Sequence, residues 1–234
     1  QLSVLKSSIV EVEIPTDIAI CSILHRVAAK NNIKFIISGG NYATEGILPE
    51  LWFYNPKDLK LLKGLQKTFG TKKMKTFPSF DWKAEIYYKF FKRIKIVYIL
   101  NLLPYKKSDA LALLKEKVDY HEYGGKHHES VYTRFVQSYF QPVKFNLDYR
   151  RATFSSQICS GDLSRDDALK ALEELPYEPK QVEQDKEYVS KKFGISVKEF
   201  EDMINAPPKS YKDYPNDEKW LTLIYNLYRK YFKR

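Results

Sequence analysis

Three polar side chains recur at helical spacing in the middle of the chain: Glu129, Thr133 and Gln137, with Arg134 beside them. Residues four apart lie on the same face of an α-helix. A solvated face carries lysine and glutamate more often than threonine and glutamine. The pattern therefore predicts a polar track that serves a site, and a plain surface or a structural hydrogen-bond network stays open as the alternative.

The same region is rich in histidine, since the segment 121–130 reads His-Glu-Tyr-Gly-Gly-Lys-His-His-Glu-Ser. Adjacent side chains of a helix point in different directions, so His127 and His128 cannot easily share one metal ion, and a zinc site is not favoured. One of these histidines is expected to donate a hydrogen bond to a substrate instead. Cys159 has no clearly paired base and is predicted to be a buried packing thiol rather than a nucleophile.

A second candidate site is the turn Ser38-Gly39-Gly40, which follows an apolar strand expected at residues 33–37. In an α/β sheet, ligands bind outside the carboxyl ends of the strands. The turn is therefore a candidate binding loop, and the alternative is a turn that only ends the strand.

The elements that must position these residues alternate in the first half of the chain. Helices are expected near residues 16–30, 56–69 and 80–92, and strands at 33–37 and 95–102. On the first helix, the side expected to be buried consists of Ile18, Cys21, Ile23, Leu24 and Val27. From residue 108 onward the sequence predicts mainly helices, with capping boxes that begin at Ser164 and Ser196.

This order of elements predicts an α/β fold: the C-terminal part of a doubly wound, mainly parallel sheet, followed by a mainly helical region. Two domains are expected, a partial nucleotide-binding-type domain at 1–107 and a mainly helical C-terminal region at 108–234. Two or three strands make only part of such a sheet, so further strands are expected upstream.

Composition narrows the class of protein. The chain has 234 residues, a formal net charge of +10 and 2 cysteines. The cysteines are far apart, which argues against a disulfide framework and favours a cytoplasmic location. No apolar run is long enough to span a bilayer, so no transmembrane segment is expected. The lysine clusters lie at helical spacing opposite leucines and are interpreted as a solvated face, without a nucleic-acid partner.

Several motifs together resemble the N-acetyl sugar amidotransferases of lipopolysaccharide and O-antigen biosynthesis. The matching residues are Tyr-Gly-Gly-Lys-His-His-Glu-Ser at 123–130, Thr133-Arg134-Phe135, Pro142 with Lys144-Phe145, Ser160-Gly161 and Arg165. The resemblance implies the adenine nucleotide alpha hydrolase-like fold of the ATP pyrophosphatases. It also implies an ATP-dependent enzyme that converts the N-acetyl group of a nucleotide sugar to an acetamidino group through an O-adenylyl intermediate.

The resemblance also implies roles for individual residues. Lys126, Glu129, Arg134, Arg150 and Arg151 would be catalytic, with the cations holding phosphate or sugar-nucleotide charge. Substrate would be bound by His127, Thr133, Gln137 and Lys144.

The stretch Asn41-Tyr42-Ala43-Thr44-Glu45 resembles the second signature of the ATP pyrophosphatases. By that resemblance, Glu45 would hold Mg²⁺, and ATP would contact Ser38, Gly39, Gly40, Asn41 and Thr44. The first signature of the class reads Ser-Gly-Gly-x-Asp-Ser, and here Tyr42 and Ala43 stand where its Asp and Ser would be. The chain is therefore expected to be a fragment that lacks the N-terminal pyrophosphate loop and is inactive alone.

The resemblance implies two partners, a nucleotide-sugar substrate and a glutaminase subunit that supplies ammonia, and a homo-oligomer is possible. Two other functions stay open. One is an ATP-dependent enzyme that thiolates tRNA, and the other is a non-catalytic module that binds anions or nucleic acid.

Overall fold

A computed structural model describes residues 1–49, 52, 57–121 and 128–232. Its α-helices are α1 (Leu2–Lys6), α2 (Ile14–Lys30), α3 (Tyr42–Glu45), α4 (Leu59–Phe69), α5 (Trp82–Ile86), α6 (Lys107–Val118), α7 (Val131–Phe135), α8 (Gln141–Phe145), α9 (Tyr149–Ser160), α10 (Arg165–Glu173), α11 (Pro179–Phe193), α12 (Val197–Asn205) and α13 (Glu218–Phe232). The strands are β1 (Phe35–Ser38) and β2 (Lys95–Tyr98). The shorter elements are π-helical turns at Tyr87–Phe91 and Val136–Phe140 and 3₁₀-helical turns at Ile99–Leu102 and Tyr211–Asp213.

The described residues are mostly helical, with one sheet formed by the parallel strands β1 and β2. This is compatible with an α/β protein. Within the described residues the sheet has two strands, so the doubly wound sheet stays a prediction. The strand expected at 95–102 is half as long as predicted, because the chain turns into a 3₁₀ helix at Ile99.

The chain divides into two units, each built from separate stretches of sequence. The first unit contains residues 1–36, 54–96 and 208–234, and the second contains residues 37–53 and 97–207. The sequence predicts a different division, at residue 107, into a nucleotide-binding-type domain and a helical region. That division stays a prediction.

The core of the first unit is aliphatic. It consists of Val4, Ile9, Ile14, Ile18, Leu59, Leu61, Leu62, Leu65 and Phe80. Beside this core, the carboxylate of Asp58 caps the N-terminal ends of two helices. One carboxylate oxygen accepts the Leu61 N–H of α4 at 2.9 Å, and the other accepts the Asp217 N–H ahead of α13 at 2.8 Å. Such caps satisfy helix N–H groups that have no intrahelical partner.

The buried side of α2 differs from the prediction. The helix buries Ile14, Pro15, Ile18, Ser22, His25 and Ala28. Ile23, Leu24 and Val27, which were expected inside, each expose about half of their surface. Both sides of the helix are largely apolar, so the sequence pattern could not distinguish them, and contacts with α4 decide which side is inside.

In the second unit, residues 131–145 form one continuous helical segment, α7 and α8 joined by a π turn. Its buried rings Phe135 and Phe140 pack against Phe200 of α12, with ring centroids 5.3 and 6.3 Å apart. Helix α11 lies against α7, and α3 packs against α9. These contacts position the candidate site.

Candidate functional site

The second unit contains a cavity of about 370 Å³ beside the glycine turn. It is lined by Tyr42, Ala43, Leu100, Asn101, Leu103, Tyr105, Ser156, Cys159 and Ser160. The lining combines apolar walls with a few polar groups, which is the usual character of a small-molecule site. Three stretches far apart in sequence form it: α3, residues 100–105 and the second half of α9.

The predicted binding turn builds the wall of this cavity. The Asn41 side chain caps α3, since its oxygen accepts the Thr44 N–H at 2.9 Å and the Thr44 hydroxyl at 3.2 Å. Its amide nitrogen donates to the Gly39 carbonyl at 3.2 Å, and the Ser38 hydroxyl accepts the Gly40 N–H at 3.2 Å. Asn41 and Thr44 are buried and hold the turn, while Tyr42 and Ala43 face the cavity.

Gly40 lies where two side chains approach the backbone closely. A Cβ at this position would lie 3.1 Å from the Tyr98 ring and 3.3 Å from a carboxylate oxygen of Glu45. Both distances are shorter than ordinary van der Waals contact, so glycine permits the turn and Glu45 to pack together. The turn residues predicted from sequence are thus in one place, with Glu45 exposed at its edge.

Helix α9 forms an adjoining wall of the cavity and is hydrogen-bonded to the turn region. The buried Ser156 hydroxyl accepts the Ile47 N–H at 3.0 Å, and the Ser160 hydroxyl donates to the Ala43 carbonyl at 3.3 Å. Gly161 then ends the helix in the left-handed conformation at φ +73°. Ser160 of the Ser160-Gly161 motif therefore contacts the turn directly.

Cys159 is exposed and lines the cavity, so the prediction of a buried packing thiol is wrong. The physical reason is that the last turn of α9 faces the cavity rather than a core.

Asn101 and Tyr105 line the cavity, although the sequence did not identify them as site residues. The Asn101 side-chain oxygen accepts the Tyr42 N–H at 2.9 Å. Burial, together with the negative charges of Asp162 and Glu45, raises the pKa of the Tyr105 phenol and keeps it protonated as a donor. The available signal was Asn101 itself, a polar residue that interrupts the apolar run 94–103.

Arg134 lies away from the cavity lining in a bidentate ion pair. Its Nε and Nη2 donate to the two carboxylate oxygens of Asp185 at 2.9 and 2.7 Å, and Gln181 donates to the same carboxylate at 2.9 Å. The hydrogen bond with Asp185 raises the pKa of the Arg134 guanidinium, against the opposing effect of burial. Arg134 joins α7 to α11, and its catalytic role stays a prediction.

Arg150 is similarly engaged within the second unit. Its Nη2 donates to Asp148 at 2.8 Å and to the Glu174 carbonyl at 2.9 Å, and Nη1 donates to the Ala171 carbonyl at 3.2 Å. The side chain therefore ties the start of α9 to the end of α10. Arg151 beside it is exposed. Neither residue lines the cavity.

Lys144 is buried and caps the end of α12. Its ammonium donates to the carbonyls of Met203, Ile204 and Ala206. Burial lowers the pKa of this ammonium. The arrangement satisfies helix C-terminal carbonyls with a cation, so Lys144 has a structural role, and its substrate contact stays a prediction.

The polar track does not lie on one α-helix. The Ser130 hydroxyl accepts the Thr133 N–H at 3.3 Å as the N-cap of α7, so Glu129 precedes the helix. Gln137 lies in the π turn that begins at Val136. Glu129 is exposed, and Thr133 and Gln137 are half-buried. Lys126 and His127 lie outside the described residues.

No group of three or more histidine, cysteine, aspartate or glutamate side chains that could hold a metal occurs in the part of the chain that the structure describes. Glu45 is exposed at the end of α3, two residues after the lining residue Ala43, and fits a Mg²⁺ ion only where phosphate oxygens or water supply most ligands. None of the described helices is long and apolar enough to cross a membrane.

One comparison with known proteins finds a match, and it lies in the region that contains α7–α12. Residues 129–229 match the family model described as LPS biosynthesis protein WbpG-like, C-terminal domain. The match suggests an enzyme with a role in lipopolysaccharide biosynthesis. It covers the motifs from Glu129 to Arg165, together with three of the lining residues of the cavity, Ser156, Cys159 and Ser160. No curated protein and no solved structure matches the chain.

Proposed function

We propose that this chain is part of an ATP-dependent amidotransferase that converts the N-acetyl group of a nucleotide sugar to an acetamidino group in lipopolysaccharide biosynthesis. The observation that carries the proposal is that Ser160, which lies in the region matched by the WbpG-like family model, hydrogen-bonds to Ala43 of the turn 38–45, and both residues line one cavity. Two motif regions that resemble the same enzyme class thus meet at one place.

In the proposed reaction, the amide oxygen of the N-acetyl group attacks the α-phosphorus of ATP, and pyrophosphate leaves. Ammonia then attacks the imidate carbon, and AMP leaves with the former amide oxygen. Adenylylation is needed because an unactivated amide oxygen is a poor leaving group. The site therefore has to bind a polar amide while it excludes water from the activated intermediate.

The cavity lining suits the N-acetyl end of the sugar. Leu100 and Leu103 provide apolar surface for a methyl group, and the Tyr105 phenol is a protonated donor for an amide oxygen. Tyr42, on the exposed side, offers a ring face on which a sugar can stack. Glu45 at the edge would be one carboxylate ligand of the Mg²⁺ that accompanies ATP.

The pyrophosphate of ATP needs a further loop in this proposal. Tyr42 and Ala43 replace the Asp and Ser of the class signature, and the turn N–H groups of Gly40 and Tyr42 are already donated within the protein. A Ser-Gly-Gly-x-Asp-Ser segment therefore has to be supplied by other polypeptide, and ammonia by a glutaminase. Lys126, Arg134, Arg150 and Arg151 stay as candidates for holding phosphate charge.

The test is to incubate the source protein with ATP, Mg²⁺, ammonium and a panel of UDP-N-acetyl sugars. We expect AMP, pyrophosphate and a sugar whose mass falls by the difference between an oxygen atom and an NH group. Chromatography measures the nucleotides and mass spectrometry the sugar. The proposal fails if AMP never forms with any N-acetyl sugar, or if tRNA rather than the sugar stimulates AMP formation.

A cavity-filling variant links this activity to the site. Cys159→Trp places a large ring in the lining, and we expect kcat/KM to fall by about tenfold or more because the sugar can no longer seat. Cys159→Ser keeps the space and should retain activity, since the thiol performs no chemistry in this proposal. Leu169→Trp on the exposed face of α10 is the matched control and should behave as the unaltered protein.

A further inference from the structure

Two half-buried residues of the cavity lining, Asn101 and Tyr105, keep a side-chain hydrogen-bond donor that has no acceptor among the residues the structure describes. The hydroxyls of Ser156 and Ser160, which line the same cavity, already donate to backbone carbonyls at 3.0 and 3.3 Å. A polar group that is left unpaired in a binding site is available to a ligand. The carboxamide of Asn101 and the phenol of Tyr105 are therefore the two groups that can recognise polar atoms of an occupant.

The orientation of the Asn101 carboxamide is fixed by its neighbour. Its oxygen accepts the Tyr42 N–H at 2.9 Å. A backbone N–H only donates, so the carboxamide cannot reverse without losing this hydrogen bond, and the NH₂ group is the end left for a ligand. An amide NH₂ group donates and does not accept. Asn101 therefore requires an acceptor atom on the molecule that occupies the cavity.

The charge around the cavity decides what kind of acceptor fits. None of the described lining residues is a lysine, arginine or histidine. Burial raises the pKa of the Tyr105 phenol most, and the negative charges of Asp162 and Glu45 raise it further, so the potential at this wall is negative. A phosphate acceptor would be repelled there. The acceptor is therefore an uncharged oxygen, which places the sugar, and not its diphosphate, against Asn101.

The reaction proposed above limits which oxygen of the sugar Asn101 can bind. The oxygen of the reacting amide has two lone pairs. One of them has to attack phosphorus, and the donor proposed for the other is the Tyr105 phenol. A hydrogen bond from Asn101 to the same oxygen would hold back the electron pair that forms the new bond. The acceptor of Asn101 is therefore a different oxygen.

We propose that Asn101 is a specificity-determining residue whose NH₂ group donates to a second, uncharged oxygen of the sugar, either a hydroxyl or the carbonyl of another acyl substituent. The proposal rests on the proposed function, because that function identifies the occupant of the cavity as an N-acetyl sugar. It adds a requirement to the substrate, since a sugar that lacks this second oxygen leaves a desolvated NH₂ group without a partner. Such a sugar is rejected even though it carries the reacting acetamido group.

The experiment uses the UDP-N-acetyl sugar of the panel that binds the source protein most tightly, together with analogues that each lack one other oxygen-bearing substituent of the sugar ring. We expect one analogue to have a kcat/KM at least about tenfold below that of the parent sugar. Asn101→Ala removes the donor, so the ratio between parent and analogue should fall close to one. Losing the hydrogen bond to Tyr42 would lower both rates equally, so the ratio separates specificity from a structural role. Asn205→Ala, at an exposed asparagine of α12, is the matched control and should keep the original ratio.

Asn101→Asp distinguishes the two kinds of oxygen. Aspartate still offers one oxygen to the Tyr42 N–H, but its other oxygen only accepts. A hydroxyl can reverse and donate to that carboxylate, so the preference for the parent sugar remains. An acyl carbonyl cannot donate, so the preference is lost as in Asn101→Ala.

A binding measurement makes the test independent of turnover. In NMR spectra of ¹⁵N-labelled protein, the side-chain NH₂ signals of Asn101 are assigned by their absence in Asn101→Asp. They should move downfield with the parent sugar and less with the rejected analogue. The proposal is overturned if these signals do not respond to the sugar, if no analogue is rejected, or if Asn101→Ala keeps the full preference. A response of the signals without AMP formation would contradict the reaction alone, whereas AMP formation with an unchanged ratio would contradict the role of Asn101 alone.

Discussion

At the scale of single residues, two basic side chains of the second unit, those of Arg134 and Lys144, are committed to partners that are distant in sequence. Arg134 forms an ion pair with Asp185, 51 residues away, and Lys144 donates hydrogen bonds to carbonyls at the end of α12, 59 or more residues away. Sequence motifs identified these cations but could not identify their partners. A role in stability and a role in catalysis therefore predict different results for the same substitution.

Arg134→Ala should lower the free energy of unfolding by about 3 kcal/mol, because it leaves the buried Asp185 carboxylate without its cation. Urea denaturation measures this value. Arg151→Ala, at an exposed cation of α9, is the control and should change this free energy by about 0.5 kcal/mol or less. An Arg134→Ala protein of unchanged stability that has lost activity would instead favour the catalytic role.

Glu11 should make stability depend on pH. It is buried in the first unit, one of its carboxylate oxygens has no hydrogen-bond partner among the described residues, and burial raises its pKa to about 7. The folded protein therefore holds this proton more tightly than the unfolded chain does. The resulting stabilisation is complete below pH 4.5, the ordinary value of the group, and is lost as pH rises through about 7.

Glu11→Gln removes this titration. The difference in unfolding free energy between the unaltered protein and the variant should shift by about 3 kcal/mol or less between pH 4.5 and 8, in favour of the variant at high pH. Thermal melts over that range measure the difference. A constant difference across the range would show that Glu11 does not titrate there.

At the scale of elements, the serine N-caps of helices follow local rules, whereas the buried faces of helices do not. Ser164 and Ser196 are the N-caps of α10 and α12, each accepting the N–H three residues on at 3.1 Å. The reciprocal bond of the predicted capping box is present at Ser196, where Glu199 accepts the Ser196 N–H, whereas at Ser164 the Asp167 carboxylate accepts the serine hydroxyl instead. The buried face of α2 was predicted wrongly, and the π turn inside the helical segment 131–145 was not anticipated. A side-chain cap involves residues three apart, whereas burial depends on what the fold brings to each face.

Lys144→Met tests the cap of α12 by a distant side chain. Methionine keeps much of the apolar stem but donates nothing, so three carbonyls at the helix end lose their donor. We expect the unfolding free energy to fall by about 2 kcal/mol. Hydrogen exchange should show faster opening of α12. Lys191→Met, at an exposed position on α11, is the matched control, and an equal effect of both substitutions would contradict the capping role.

At the scale of the whole molecule, charge is distributed unevenly between the two units, with the lysine-rich stretches in the first. Ion pairs such as Lys57–Glu85 at 2.5 Å offset part of this charge. The remaining cations repel one another in the folded state and do so less when salt screens them.

The thermal midpoint of the chain should therefore rise as NaCl increases from low concentration to about 0.2 M, where the Debye length falls below about 8 Å. Lys63→Glu should reduce the salt dependence and add about 0.4 kcal/mol at low salt, because it converts a like-charge pair with Lys67 on the exposed face of α4 into an attractive one. Lys63→Gln is the comparison variant: it removes the repulsion between Lys63 and Lys67 without adding an attractive pair, so the difference between the two variants measures the attraction. A midpoint that falls with salt would contradict this account.

The turn at 38–45 was found from its sequence because glycine and a capping asparagine impose local geometry. The rest of the cavity could not be predicted in this way. Asn101 and Tyr105 carry no motif, and Cys159 was placed in a core, since only the packing of α3 against α9 decides what these side chains face.

The sequence by itself determined the main helices, the serine caps of α10 and α12, the turn after β1 and the resemblance of the region 129–229 to enzymes of lipopolysaccharide biosynthesis. These features depend on residues a few positions apart or on the order of motifs. Only the tertiary structure decided which side of α2 stays exposed, which carboxylate holds Arg134, and that Ser160 meets Ala43 across 117 residues of sequence. Each of these depends on long-range packing, which the spacing of residues along the chain does not encode locally.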